Sequence, residues 1–166
     1  TTENSGVTID DDTSGVMTFD PAPNYESQTS YTFTVRVEDS NNTNNFKAQE
    51  ITININNLND NPFQNDIALS SNTPAQNTEL SITDNVTDDD GIANNRSYAW
   101  VRVDPGTEPS AETSVGTNAA TYTPTNEDVG YHIKVTVTYT DSSTSGDTTT
   151  KTATTTGTVT SLVTNS

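Results

Sequence analysis

Between residues 132 and 139 the chain reads HIKVTVTY, apolar at every second place. The same beat runs through YTFTVRVE at 31–38 and ITINI at 51–55. Successive side chains of a strand point to opposite faces, so each run makes one apolar and one wet face. Weaker runs surround Val16, Met17 and Phe19, and Leu80 with Ile82. Residues 147–160 are nearly all threonine, a β-branched residue of small core volume, and predict a final strand. No helical period of useful length competes; at most a single turn forms near 126–129.

Composition tests this reading. Hydrophobic residues make up 28% of the 166, well below the globular norm of about 45–50%. Such a chain risks disorder. Its apolar residues are nevertheless gathered into alternating runs, which a disordered chain does not need. The net charge is -17, from 23 acidic and 6 basic residues. That field repels nucleic acid and anionic membranes and attracts divalent cations. There is no cysteine, so no disulfide staples the fold. No apolar run is long enough to span a bilayer, and no signal peptide is present. Thr1 in place of an initiator methionine marks the expectation of an excised fragment.

Turn signals punctuate the runs. Asp12-Thr13-Ser14-Gly15 reads as a hairpin turn between 7–10 and 16–19, and 141–146 turns one strand into the threonine strand. Many short strands at this spacing predict an all-β chain of antiparallel Greek-key β-sandwich modules in tandem. The strands divide near 57–62, giving domains 1–63 and 64–166. The second has length for seven strands. The first has about four, too few to close two sheets over a core, so it is expected to be incomplete.

NYESQTSYTFTVRVEDS at 24–40, followed by ITININNLNDNPF at 51–63, resembles the C-terminal part of a cadherin-like repeat. Asn24-Tyr25-Glu26 stands at that family's acidic motif, 31–39 at its Tyr-led strand, and 57–61 at its Asp-x-Asn-Asp-Asn linker. SYAWVRVD at 97–104, with Trp100 as core residue, resembles the immunoglobulin-like and cadherin-like modules of large RTX-type bacterial surface adhesins. TYTPTNEDVG and IKVTVTYTD, at 121–130 and 133–141, belong to the same likeness. The antibody-type tyrosine corner departs from it: Asp128-Val129-Gly130 is followed by Tyr131, with His132 where the tyrosine belongs.

The resemblance implies calcium. That ion takes oxygens from carboxylates, amides and backbone carbonyls at about 2.3–2.6 Å. The implied ligands are Glu26 from the first repeat, Asn59, Asp60 and Asn61 from the linker, and Asp88, Asp90 and Asp141 from the second. Asn61 and the Leu58 carbonyl would be neutral donors. Asn24 and Asn57 replace acids of the family pattern, so roughly one or two ions are expected at the junction. Asp39 would face an upstream junction and stay empty. Acidic loops are usually solvated turns. That reading is preferred for Asp10-Asp11-Asp12, for Asp104-Pro105-Gly106 and for the 141–147 loop apart from Asp141. For the linker set, the coincidence of three motifs in order favours calcium.

The implied function is a non-enzymatic extracellular segment of a bacterial adhesin at the cell surface, a calcium-rigidified extender or scaffold. Its partners would be neighbouring adhesin domains in the same polypeptide. The short first module fits either a sandwich split by an inserted ligand-binding domain or a simple boundary that removed its first strands; both stay open. The alternative class is a glycan- or peptide-binding module using the 104–119 loop, which has no aromatic residue to face a sugar. A lone His132 gives no zinc site or catalytic triad. Asn41, Asn85 and Asn95 begin glycosylation sequons that matter only in a eukaryotic secretory route.

Overall fold

The computed structural model describes residues 7–9, 16–39, 41–60, 63–143 and 146–162. It divides into two compact units, Thr1–Leu58 and Asn59–Ser166. The second unit thereby takes residues 59–63, which the sequence reading gave to the first. Phe63 explains part of this: its ring lies 6.1 Å from that of Tyr139, and Gln64 bridges Thr87 in antiparallel fashion.

The first unit is two hairpins. Strands β1 (Val7–Ile9) and β2 (Met17–Phe19) pair antiparallel, Val7 opposite Phe19. The predicted turn at 12–15, and Asp10 to Asp12 with it, lies outside the described residues. Strands β3 (Ser30–Asp39) and β4 (Asn42–Asn54) form the longer hairpin, with Tyr31 opposite Ile53 and Phe33 opposite Ile51. The Phe19 ring meets Tyr31 edge-on at 4.9 Å. Tyr31, Phe33, Val35, Ile51 and Ile53 are only half-buried, and no described residue of this unit is fully buried. These two two-stranded sheets close no core among the described residues, as expected of so few strands.

One expectation fails here. Val37 continues the alternation in sequence but is 68% exposed. Its cross-strand partner is Lys47, and Gln49 stands opposite Val35, so β4 supplies no apolar stripe at that end. Strand β4 also starts at Asn42, long before ITINI, because hairpin pairing with β3 carries it through polar residues that periodicity alone does not register.

Among its described residues the second unit has seven strands: β5 (Ile67–Leu69), β6 (Leu80–Asp84), β7 (Ser97–Val103), β8 (Glu112–Val115), β9 (Thr121–Tyr122), β10 (His132–Thr140) and β11 (Thr148–Thr154). They form a three-stranded sheet, β5-β6-β9, and a four-stranded sheet, β11-β10-β7-β8, with every named pair antiparallel. The chain crosses between sheets after β6, β8 and β9, the signature of a Greek-key sandwich. The alternation of β10 is realised in full: Ile133, Val135, Val137 and Tyr139 are completely buried. Trp100 is 2% exposed, stacks 5.7 Å from Tyr122, and donates its indole N–H to the Ala119 carbonyl at 2.9 Å. A 3-10 turn at Asn126–Asp128 is the helical element among the described residues, and none there is long and apolar enough to cross a membrane.

The threonine run is not one strand. Strand β11 ends at Thr154. The buried Thr155 hydroxyl accepts the Ile133 N–H at 3.0 Å and donates to the Gly157 carbonyl at 2.8 Å. A side chain that bonds nearby backbone offers an alternative to the ladder. The chain then runs beside the loop between β5 and β6, where Gly157 N–H reaches the Asn72 carbonyl and Thr160 N–H the Pro74 carbonyl.

Candidate metal centre

The loop after β6 turns sharply at residues 88–91. Gly91 donates its N–H to the Asp88 carbonyl at 3.1 Å and adopts φ +88°, a conformation that favours glycine. Asp88 Oδ1 accepts the Asp90 N–H at 3.1 Å, fixing both carboxylates on the turn. The loop is stitched to the end of β10. Ile92 bridges Asp141, Ala93 N–H reaches the Thr140 carbonyl, and Ser142 N–H reaches the Gly91 carbonyl. Asp141 closes the loop from β10 to β11, its N–H bonding the Asp147 carbonyl at 2.8 Å.

These bonds bring Asp88, Asp90 and Asp141 together. One carboxylate oxygen from each lies within 4.8 Å of the others. Two oxygens on opposite sides of a calcium ion stand about 4.6–5.2 Å apart, so the spacing suits that ion. Asp141 is 3% exposed and accepts from Ser143 twice, N–H to Oδ1 at 2.6 Å and Oγ to Oδ2 at 2.8 Å. Asp90 Oδ2 accepts the Asp60 N–H at 2.7 Å, whereas Asp90 Oδ1 is buried without a hydrogen-bond partner.

Charge makes the set unusual. Among the described residues no Lys or Arg forms an ion pair with these three acids. Five of the chain's six cations are engaged elsewhere: Arg36 with Glu38, Arg96 with Asp84, Arg102 with Glu127 and Asp128, Lys134 with Glu112, Lys151 with Asp66. Burial pushes the Asp88 carboxyl above its ordinary value, and the charges of Asp141, Asp90 and Asp89 add to the push against one backbone N–H.

The other implied ligands take different places. Asn59 donates its side-chain N–H to Asp147 Oδ2 at 2.5 Å, and Asp60 offers Asp90 its backbone N–H while its side chain is exposed. Asn61 lies outside the described residues. Glu26 sits in the exposed turn of the first unit after Asn24, whose Oδ1 accepts the Ser27 N–H at 3.0 Å. Asp39 accepts the Asn41 N–H at 2.9 Å in a turn of its own. Asp147, in the turn between β10 and β11, accepts the Asn59 bond and, at its backbone carbonyl, the Asp141 N–H.

A second buried acid lies in the same unit. Asp128, 1% exposed, accepts at Oδ2 from the Tyr122 hydroxyl, the Thr125 N–H and the Thr125 hydroxyl, and its Oδ1 lies 3.5 Å from Arg102 Nη1. The tyrosine that serves Asp128 is therefore Tyr122 on β9, while Tyr131 lies under the Arg102 guanidinium at 5.2 Å.

Fold and site together define a class: an all-β chain whose second unit is a seven-stranded sandwich with a carboxylate cluster on adjoining loops. No protein-family model matches the chain, and no curated protein matches it. Among solved structures it is similar to protocadherin gamma B7 extracellular cadherin domains 1–4, at 15% identity and a TM-score of 0.45. The alignment covers 90% of this chain and 36% of that one. A similarity of that size assigns no family, and the sandwich rests on the chain's own strand pairing.

Proposed function

We propose that this chain is a non-enzymatic, calcium-stiffened segment of a bacterial surface adhesin. The observation that carries the calcium reading is the uncompensated set Asp88, Asp90 and Asp141, with Asp90 Oδ1 buried and unpartnered. Those three would hold the ion. Its positive charge would cancel their repulsion and tie the 88–91 turn to the end of β10. Asp60, bonded to Asp90, and Asn59, bonded to Asp147, would be held by the same event, so the linker is fixed where it enters the second unit. Asn61 stands as a further donor on the strength of the cadherin-like motif. The extracellular, cell-surface setting and neighbouring adhesin domains as partners belong to the same reading, as does a ligand-binding domain inserted beside the first unit.

Calorimetric titration with calcium tests the reading. The chain should bind in the roughly 10⁻⁴ to 10⁻³ M range of extracellular modules, and Asp141→Asn should abolish the heat. Absence of binding by the unaltered chain sinks the proposal. Scattering with and without chelator then tests stiffening: an unchanged maximum dimension means calcium binds without any mechanical role.

A further inference from the structure

The loop carrying Asp88 and Asp90 runs from the end of β6 to the start of β7, and one carboxylate outside the acid set gathers both its ends. Asp84 is the last residue of β6, and its Oδ1 accepts the Val86 N–H at 3.1 Å where the loop begins. Its Oδ2 lies 3.1 Å from Nε of Arg96, the residue before β7, where the loop ends. Asp84 Oδ1 also accepts the Tyr139 hydroxyl at 3.0 Å. Tyr139 is fully buried in β10 and stands two residues before Asp141. The Arg96 guanidinium lies 5.5 Å from the centre of the Tyr139 ring, so the three side chains pack on one another.

Asp84 thereby joins the two elements that supply the three acids, the 85–96 loop and the end of β10, without belonging to the set itself. Its pair with Arg96 is partly exposed at both partners, 30% each, and such a pair adds little stability by itself. Its geometry matters more. Three carboxylates without a cation repel one another and move apart unless the backbone beneath them is held. Holding it before the ion arrives removes an ordering cost that binding would otherwise meet. Groups that orient the ligands of a metal commonly change its affinity about 10–100-fold when removed.

We infer that Asp84, Arg96 and Tyr139 are positioning residues for calcium: their clamp holds the 85–96 loop to β10, so that Asp88 and Asp90 meet Asp141 before the ion binds. This rests on the calcium reading above. Calorimetric titration of the full chain with calcium tests it, alongside urea unfolding in chelator. Arg96→Gln gives the sharpest result because two effects have opposite signs. Removing a positive charge from the ion-bearing loop should by itself tighten calcium binding, whereas loss of the clamp should weaken it, roughly tenfold. Tyr139→Phe keeps the ring and removes the hydroxyl, and should weaken binding to a similar extent. Tyr122→Phe removes the other tyrosine–aspartate bond of the unit, to Asp128, and should lower stability while leaving calcium affinity unchanged. If Arg96→Gln binds as tightly as the unaltered chain or tighter, the clamp serves only the fold and the inference is overturned, while the calcium reading stands. Equal weakening by Tyr122→Phe also overturns it, since affinity then follows stability in general. If the unaltered chain takes up no calcium, both fall together. Should Tyr139→Phe fail to fold, the sign of the Arg96→Gln change decides alone.

Discussion

The second unit buries Asp128 and Asp141 to nearly the same degree and treats them in opposite ways. Asp128 receives three donors on one oxygen and an arginine beside the other. Burial pushes its carboxyl up, but those bonds and the Arg102 charge outweigh burial and hold it below the ordinary range. Its partner Tyr122 is pushed up in turn, by burial first and then by the bond to Asp128. Asp141 instead faces Asp88 and Asp90, and the net effect on Asp88 is upward. Burial of an acid therefore does not mark a site. Neighbouring charge does: Asp128 has the Arg102 guanidinium beside it, whereas Asp141, though Ser143 donates to both its oxygens, sits with two other acids that no Lys or Arg pairs with among the described residues.

The largest expected effect follows from breaking the completed site. Asp128→Ala leaves the Tyr122 hydroxyl without its partner and the Arg102 charge with Glu127 alone. Removing one member of a buried pair costs about 3–5 kcal/mol. Urea unfolding followed by Trp100 fluorescence measures it, since that indole stacks on Tyr122. A loss of only about 1 kcal/mol, the scale of one ordinary hydrogen bond, would mean that Asp128 is not the hub its geometry describes.

The next effect belongs to the incomplete site. Calcium at a hundredfold excess over its dissociation constant should raise the stability of the second unit by about 2.7 kcal/mol. Urea midpoints with and without the ion read this directly. Asp141→Asn should erase the increment, because it removes the most buried ligand. In a destabilised but folded variant of the Asp128 site, such as Tyr122→Phe, the increment should persist, since separate sites add independently. Loss of the increment there would show the two acids to be coupled.

Much of this contrast was legible in the residues, and the rest was not for physical reasons. Alternation at Ile133, Val135, Val137 and Tyr139 located the core strand because a period of two has one structural meaning. Asp88, Asp90 and Asp141 were reached through motif order. Three things depend on pairing that no local pattern reports. Val37 alternates correctly yet lies opposite Lys47, and its exposure follows from register. Asp147 reads as one more turn residue, and only the closed loop brings it to Asn59. Thr155 resembles its neighbours in sequence and differs through its hydroxyl bond to Ile133.

A smaller effect carries the opposite sign from most substitutions. Without calcium, Asp88→Asn removes one like charge from the set and should stabilise the second unit by roughly 0.5 kcal/mol, the scale of partly exposed like-charge contacts. With calcium present it should destabilise, because a ligand is lost. Paired urea curves in calcium and in chelator give the sign in each state. The same sign in both would mean that Asp88 neither feels its neighbours nor touches the ion.

The subtlest consequence is in pH. The folded value of Asp88 lies above its ordinary 3.8. Charging it in the folded state is therefore unfavourable. That penalty is present at neutral pH and disappears as pH falls through the raised value toward 3.8. Asp128 runs the other way: its folded value lies below 3.8, so its contribution is present above 3.8 and is lost as pH falls through the lowered value. Calcium-free protein should therefore gain stability on mild acidification at the first site before losing it on stronger acidification at the second. The Asp88→Asn variant isolates the first limb, because it lacks the titrating group, and the difference from the unaltered chain should shrink as pH falls. Saturating calcium should reverse that limb, since protons then compete with the ion for the same oxygens. A difference curve that is flat with pH in chelator would mean that the three carboxylates do not repel one another, and the case for a missing cation would lose its electrostatic footing.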